Sequence, residues 1–390
     1  MDKKSTAPTG PKVIFASSQL KKALSFIAGS IAGNPIVPVL ENVRFVAQDG
    51  RVTLTGSDLQ TTLRVTLDAE CLGMPADGIT FLLPFQLFNS LVRKIADQTV
   101  VITIGTDAEA FGHVITCTGG SYNLAGENPI DYPKSKTPKG DKPVDLALEG
   151  DLLNDFMAGL SLCATATSKD DLRPAFTGIS LKTRPGGLVM AASDGHRLYR
   201  YQISSAEYDP IEVIIPGKAT RHLLNLTKLV SGEMKLVLTQ SMLSASIGDY
   251  VVEGRLIDER YADYENAIPT NNPLEMKADV QALIGALGRI MLVANRSTHQ
   301  VRLSLSVDGL TVSAQDLDYS NEGIETLDCE YEGDSFEIGF NAKNFLETLG
   351  HVEGDTVRFE LSQPNRAAVV FGSDANALML VMPVILNTYA

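Results

Sequence analysis

Ala192-Ser193-Asp194-Gly195-His196-Arg197-Leu198 is the stretch from which the fold is read. It stands between an apolar run, Ile179 to Ala191, and an alternating run, Tyr199 to Ile203. Asp-Gly after a β-rich segment marks a turn, because glycine takes positive φ at no steric cost and aspartate bonds its own backbone. The stretch therefore predicts a hairpin. Three chemically capable side chains crowd it, and Asp194 orienting His196 as a general base is the enzymatic alternative, a hydrolase. No nucleophile elbow, metal-ligand spacing or phosphate loop stands nearby, so that alternative ranks behind the plain reading of the stretch alone, a capped hairpin with a packed histidine.

Outward from this turn the same order recurs. A helix over 18–31, with Ser18 as N-cap, precedes strands around Val43 to Val46 and Val52 to Thr55, joined at Asp49-Gly50. A helix over 151–166 precedes strands over 178–182 and 188–192, joined at Pro185-Gly186-Gly187. A helix over 279–295 precedes strands over 301–307 and 310–314, joined at Asp308-Gly309. The units close at Asp58, Asp194 and Asp316, which stand 136 and 122 residues apart. Each has a second half in which a strand leads into a second helix: 80–84 into 85–95, 213–216 into 218–229, and 336–340 into 341–349. Asp131-Tyr132 and Asp263-Tyr264 also repeat, 132 residues apart.

Self-similarity at this length means duplicated domains, since solenoid units are far shorter. The expectation is an α+β fold of three similar domains, 13–137, 143–270 and 274–390, after a disordered polar lead-in at 1–12. The Pro/Lys/Gly stretch from Pro133 to Pro143 and the segment Ile268 to Pro273 serve as linkers.

Cys71, Cys117, Cys163 and Cys329 are far apart and form no zinc-type cluster, so they read as reduced, buried thiols, with no metal and no cofactor expected. No apolar run approaches membrane-spanning length and the first residues lack a signal-peptide core, which places the protein in the cytoplasm and off the membrane. A net charge of −14 argues against a simple basic nucleic-acid binder. The six helix windows, with the fifth taken to 296, nevertheless hold ten basic residues (Lys21, Lys22, Arg93, Lys94, Lys218, Arg221, Lys228, Arg289, Arg296 and Lys343) against four acidic ones (Asp151, Asp155, Asp279 and Glu347). Basic helices on acidic sheets suit a face that meets a polyanion through sequence-independent phosphate contacts.

On these residues the chain resembles the bacterial DNA polymerase III beta subunit family, the sliding clamps. The stretch Ala192 to Leu198 is similar to that family's A-T-D-G-H-R-L motif, and Val381-Met382-Pro383 to its V-M-P chain end. Asn34-Pro35-Ile36-Val37-Pro38-Val39-Leu40 and the segment Gly254 to Tyr264 also look like clamp segments, and the likeness runs from about Val13 to Leu386. The resemblance implies three clamp domains per chain and a head-to-tail dimeric ring with helices lining the lumen. It implies a non-catalytic processivity factor that encircles duplex DNA without reading its sequence and tethers the polymerase. The implied partners are a second copy, the DNA polymerase III alpha subunit, the clamp loader and other proteins carrying a short clamp-binding motif. A clamp-like, peptide-binding dimer that is never loaded on DNA is the nearest alternative.

Carried over by position, the peptide pocket comprises Phe176, Ser193, Gly195, His196, Arg197, Leu198, Ala262, Asn266, Ala267, Leu380, Met382, Pro383, Val384, Ile385 and Leu386. The DNA-facing set is Lys21, Lys22, Asn34, Gln86, Arg93, Lys94, Arg173, Lys218, Arg221, Arg296 and Lys343. Ring closure falls to Tyr122 and Leu124 against Leu292 and Val293. The chain departs from the family pattern at Asn34 and Gln86, where arginine is usual, and at Pro174-Ala175, where paired aromatics are usual. On the pocket rim, Ile385 and Asn266 replace common arginines and Ala262 a common proline, and Asn387-Thr388-Tyr389-Ala390 extends past the usual end, with Tyr389 either folding over the groove as a lid or competing for the aromatic anchor.

Overall fold

The computed structural model describes residues 10–105, 111–133, 142–204 and 207–386. The first repeat comprises β1 (Lys12–Ala16), α1 (Ser17–Ile27), β2 (Asn42–Gln48), β3 (Arg51–Ser57), β4 (Thr61–Asp68) and β5 (Glu70–Leu72). It continues with β6 (Ile79–Pro84), α2 (Phe85–Lys94), β7 (Thr99–Ile104), β8 (Gly112–Cys117) and β9 (Gly120–Ala125). The second comprises β10 (Val144–Leu148), α3 (Gly150–Thr165), β11 (Gly178–Arg184), β12 (Gly187–Ser193) and β13 (Arg197–Ser204). Its other half is β14 (Ile211–Pro216), α4 (Gly217–Leu229), β15 (Met234–Leu238), β16 (Met242–Ile247) and β17 (Tyr250–Arg255). The third comprises β18 (Leu274–Asp279), α5 (Val280–Ile290), β19 (Gln300–Ser306), β20 (Gly309–Asp316), β21 (Asn321–Leu327) and β22 (Glu330–Tyr331). It ends with β23 (Phe336–Asn341), α6 (Ala342–Leu349), β24 (Thr356–Leu361), β25 (Ala368–Phe371) and β26 (Ala377–Val381).

Pairing repeats with the same period. The strand before each first helix joins the strand after the second: β1 with β7, β10 with β15, β18 with β24. The strand after each first helix joins the one before the second: β2 with β6, β11 with β14, β19 with β23. Each repeat therefore makes two half-sheets. Half-sheets then fuse across repeat borders, β4 with β17 from Val65↔Tyr250 to Thr61↔Gly254, and β13 with β26 from Arg197↔Val381 to Tyr201↔Ala377. The products are an eight-stranded and a nine-stranded sheet, while the five- and four-stranded sheets that remain end on the edge strands β9 and β21.

These ladders also set how the chain divides by compactness. By compactness the chain divides into 1–153 with 218–256, and 154–217 with 257–390. The division passes through the second repeat, because main-chain hydrogen bonds bind the repeat borders while the two half-sheets of the second repeat belong to different sheets. Arg64–Glu253 and Arg51–Asp249 ion pairs reinforce the β4–β17 border.

Local chemistry sets the elements. In α2, Phe85, Phe88, Asn89 and Val92 recur at helical spacing and are buried, which leaves Arg93 and Lys94 on the exposed face of the last turn. Asp279 caps α5 by accepting the Ala282 N–H at 2.7 Å, and the Asn341 side chain accepts from Lys343 and Asn344 at the start of α6. Asp49 and Gly50 both take positive φ, 49° and 76°, as a mirror-image two-residue turn between β2 and β3 requires.

Four expectations need correction. Ser18 does not cap α1, which begins at Ser17; the Ser17 hydroxyl instead donates to the Ala96 carbonyl and accepts the Gln98 N–H, both at 3.0 Å. α1 ends at Ile27, with a single 3-10 turn to Ser30, where an extension to Ile31 was expected. A side chain at Gly29 would come within 2.4 Å of the His222 ring, so this end of the helix is shaped by a close neighbour. Lys12, assigned to the lead-in, opens β1 and pairs with Leu72 and Thr103, while residues 1–9 and the 387–390 extension lie outside the described residues. Of the four thiols only Cys163 is buried; Cys71, Cys117 and Cys329 are partly exposed.

Burial also leaves two histidines that cannot readily take up a proton. His113 on β8 packs 5.2 Å from the Phe81 ring, and burial lowers its pKa to about 4; burial lowers His222 on α4 to about 4 as well. Both values lie below the ordinary 6.5, so the unfolded chain binds protons that the folded chain does not. The stability carried by these neutral rings is complete above about pH 6.5 and is lost as pH falls towards about 4. Urea melts should show a lower midpoint at about pH 5 than at about pH 7, and His113→Leu should reduce that difference.

Candidate functional site

The β12–β13 turn is held by its own side chains. The Ser193 hydroxyl donates to the Arg197 carbonyl at 2.7 Å and accepts the Gly195 N–H at 3.1 Å. Asp194 Oδ1 accepts the N–H groups of His196 and Arg197, both at 2.8 Å, and Oδ2 receives Arg197 Nη2 at 2.9 Å. Gly195 sits at φ 88°, which a side chain would strain. Both carboxylate oxygens are thus engaged by the turn and by Arg197, and no hydrogen bond joins Asp194 to the His196 ring among the described residues, so the enzymatic alternative finds no support in this geometry. His196 stands at the exposed tip and contributes backbone contacts.

Arg197, expected among the pocket residues, is only 7% exposed, lying between Asp194 and Glu347 of α6, the latter at 2.7 Å, with Tyr199 beneath its guanidinium. The Tyr199 hydroxyl meets Thr348 of the same helix at 2.8 Å. This face of β13 is thus tied to α6, and the alternating side chains put Leu198 on the opposite face.

That opposite face brings the two distant motifs together. Leu198 lies across from Leu380, the Met382 N–H donates to the His196 carbonyl at 2.8 Å, and the Val384 N–H donates to the Gly339 carbonyl at 2.9 Å. Leu198 and Leu380 join Ala191, Ile214, Tyr261, Tyr264 and Ala367 in one apolar cluster, with Ala175, Phe176, Ile257 and Ile268 packed against it. The Tyr261 hydroxyl accepts the Ser193 N–H at 3.0 Å and its ring meets Phe176 edge-on at 5.6 Å. Leu198 and Leu380 are buried beneath these neighbours, whereas Met382 and Ile385 are exposed. Phe176, Ser193, Pro383, Val384 and Leu386 are partly exposed, and Gly195, Ala262, Asn266 and Ala267 are exposed around them. Asn266 is engaged with Asp263 at 2.7 Å. Tyr389, expected as a lid or a competitor, lies outside the described residues.

Sequence reasoning missed Tyr261, Tyr264, Ala175, Ala367 and Glu347. Tyr264 was visible only as part of the repeating Asp-Tyr pair, and Glu347 only as a helix charge. Their partners are distant in sequence, and no local spacing marks them.

The cations expected to face DNA divide into spent and free. Lys21 donates to the Ile95 carbonyl at 2.6 Å, closing the end of α2, and Lys218 is paired with Asp58. Arg173 pairs with Asp170 at 3.1 Å and lies over Phe176; Arg296 lies over Tyr319. Arg289, counted among the helix cations, is held by both oxygens of Glu325. Arg93, Lys94, Arg221 and Lys343 are exposed and make no ion pair among the described residues; Lys22 and Arg296 are likewise exposed without an ion pair but lie over aromatic rings, Lys22 5.8 Å from that of Tyr250, and Asn34 and Gln86 are exposed too. The four expected closure residues also divide: Tyr122 on β9 and Leu292 after α5 are exposed, Val293 is partly exposed against Gly323 of β21, and Leu124 is buried in its own half-sheet. Leu124 therefore offers no side-chain surface to a second chain.

Comparison with known proteins agrees along the whole chain. Three family models match in order: DNA polymerase III beta subunit, N-terminal domain at residues 12–136, central domain at 153–263 and C-terminal domain at 265–385. The beta sliding clamp of Synechococcus elongatus is 27% identical over 97% of this chain and 100% of its own length. That of Pseudomonas aeruginosa is 28% identical over 93% of this chain and 97% of its own. The crystal structure of the Pseudomonas aeruginosa sliding clamp bound to griselimycin aligns with a TM-score of 0.88 at 26% identity, covering 97% of this chain and 100% of that one.

The turn chemistry yields a direct test. Asp194→Ala removes the acceptor of two backbone amides and one of the two carboxylates against a buried arginine. Global stability should drop by roughly 2 to 4 kcal/mol in denaturant melts; a loss under about 0.5 kcal/mol would mean that the turn does not depend on this carboxylate.

Proposed function

The chain belongs to the DNA polymerase III beta subunit family, and from that premise we propose that two copies close head to tail into a ring around duplex DNA. It is a sliding clamp, a non-catalytic subunit that tethers the polymerase for processive synthesis. The observation that carries the ring is the order of the strands. β4 finds β17 and β13 finds β26 within the chain, while β21 and β9, the corresponding strands of the remaining junction, have no ladder partner on their outer sides among the described residues. A second copy supplies both, giving two equivalent heterologous junctions that close after two chains. Exposed apolar side chains stand at these edges, Tyr122 at 42% on β9, Ile324 at 72% on β21 and Leu292 at 81%. Unpaired edges of this kind need covering.

DNA association through such a ring is sequence-blind and rests on the free cations Lys22, Arg93, Lys94, Arg221 and Lys343, so it weakens steeply with salt. The face carrying Leu198, Leu380 and Met382 docks the short linear motifs of the alpha subunit, the clamp loader and other partners, whose apolar anchor displaces Phe176 or Met382 to reach the covered floor. The protein works in the cytoplasm, where the replisome assembles.

Light scattering should give twice 41.9 kDa for the chain. Ile324→Asp combined with Leu292→Asp should give a monomer with an unchanged far-ultraviolet spectrum. A wild-type monomer at micromolar concentration would overturn the ring. Arg93→Glu with Lys94→Glu should weaken binding to any duplex and lower the salt slope by about 2, and Leu198→Asp or Met382→Asp should abolish capture of a Leu-Phe-ended peptide.

A further inference from the structure

The nine-stranded sheet continues beyond the apolar floor into a polar row. Its register sets Ser180, Ala191, Arg200 and Leu378 opposite one another on β11, β12, β13 and β26. Residues paired across an antiparallel ladder share a face, and Arg200 shares its face with Leu198, two residues earlier on the same strand. Arg200 therefore lies roughly 7 Å along the sheet from the Leu198–Leu380 pair, with Ser180 roughly 10 Å to its side across the small Ala191. Tyr264 packs in the cluster that contains Ala191, and Lys182 Nζ lies 5.3 Å from its ring centroid.

Three polar atoms in this row are buried with no hydrogen-bond partner: Ser180 Oγ, Arg200 Nε and the Tyr264 hydroxyl. Ser180 and Tyr264 are themselves buried residues. A buried polar group without a partner is costly unless a ligand or a water meets it. The charge in the row is also unmatched. Lys182 is paired with Glu212 at 3.1 Å and Arg184 with Glu265 at 4.0 Å, whereas Arg200 makes no ion pair among the described residues. Burial pushes the Tyr264 phenol up to about 12, so it stays a donor. One spare guanidinium and two hydroxyl donors suit an acceptor of single negative charge.

We propose that Arg200, Ser180 and Tyr264 form a carboxylate subsite at the end of the docking groove, which takes an acidic group of the incoming peptide about two residues from its apolar anchor. This rests on the reading that the Leu198–Leu380 face docks a linear peptide. The subsite supplies from the sheet a cation that the rim, with Ile385 and Asn266, does not. The carboxylate is either an Asp or Glu side chain or the peptide's own C-terminus, and the two sources are separable.

The test is fluorescence anisotropy on the full-length protein with labelled Leu-Phe-ended peptides. One pair carries Asp or Asn two residues before the leucine; a second pair ends in a free acid or an amide. One of the two acidic peptides should bind about tenfold tighter than its neutral twin, and the pair that shows the difference identifies the source. In Arg200→Gln the ratio should fall to about one, and in Ser180→Ala it should shrink. Equal binding within both pairs, or a ratio that survives Arg200→Gln, would overturn the subsite and leave the row to ordered water. Failure of every peptide to bind would overturn the docking reading and the subsite with it.

Discussion

The backbone ladder between β13 and β26 is the constraint on which the site depends. It fixes Leu198 across from Leu380 and Arg197 across from Val381. A slip of one residue would exchange the two faces of β13, carrying Arg197 away from Glu347 and Leu198 out of the apolar cluster. The ion pairs of Arg197 with Asp194 and Glu347 and the Tyr199–Thr348 bond on one face, and the cluster on the other, both select the same register. Two independent sets of contacts thus enforce one pairing, and the turn at Asp194 to His196 delivers the strand into it.

At the β4–β17 border the Arg64–Glu253 ion pair crosses the two strands, Arg51 of β3 reaches Asp249 in the turn before β17, and Leu63, Val65 and Val252 are buried. A threefold repeat with two borders closed internally leaves one strand of each kind unsatisfied, and the demand for partners on those edges turns a chain property into an assembly property. Electrostatics follows a similar division of labour. Lys21, Lys218 and Arg289 are committed to holding the fold, whereas Lys22, Arg93, Lys94, Arg221 and Lys343 are exposed and make no ion pair among the described residues. Counting helix charges alone treats these groups as equal, which overstates the free positive charge.

Much of this was legible in the sequence because it is local. The hairpin at Asp194-Gly195, the turn at Asp49-Gly50 and the threefold order all follow from spacing and turn chemistry. What escaped depends on long-range pairing. Nothing near Arg197 announces Glu347, nothing near Ser193 announces Tyr261, and the burial of Leu124 depends on which side of β9 meets its own half-sheet. α1 gives way to a 3-10 turn at Ala28, and Gly29 in that turn has no room for a side chain beside the His222 ring, a neighbour that periodicity cannot anticipate.

The central claim, a closed ring topologically linked to its DNA, is tested most directly by retention on DNA after loading with a bacterial clamp loader and gel filtration in high salt. The account expects the protein to stay with a nicked circular plasmid and to be released once that plasmid is linearised, because linkage and not affinity holds it. Equal retention on circular and linear DNA, or loss from both, would contradict it.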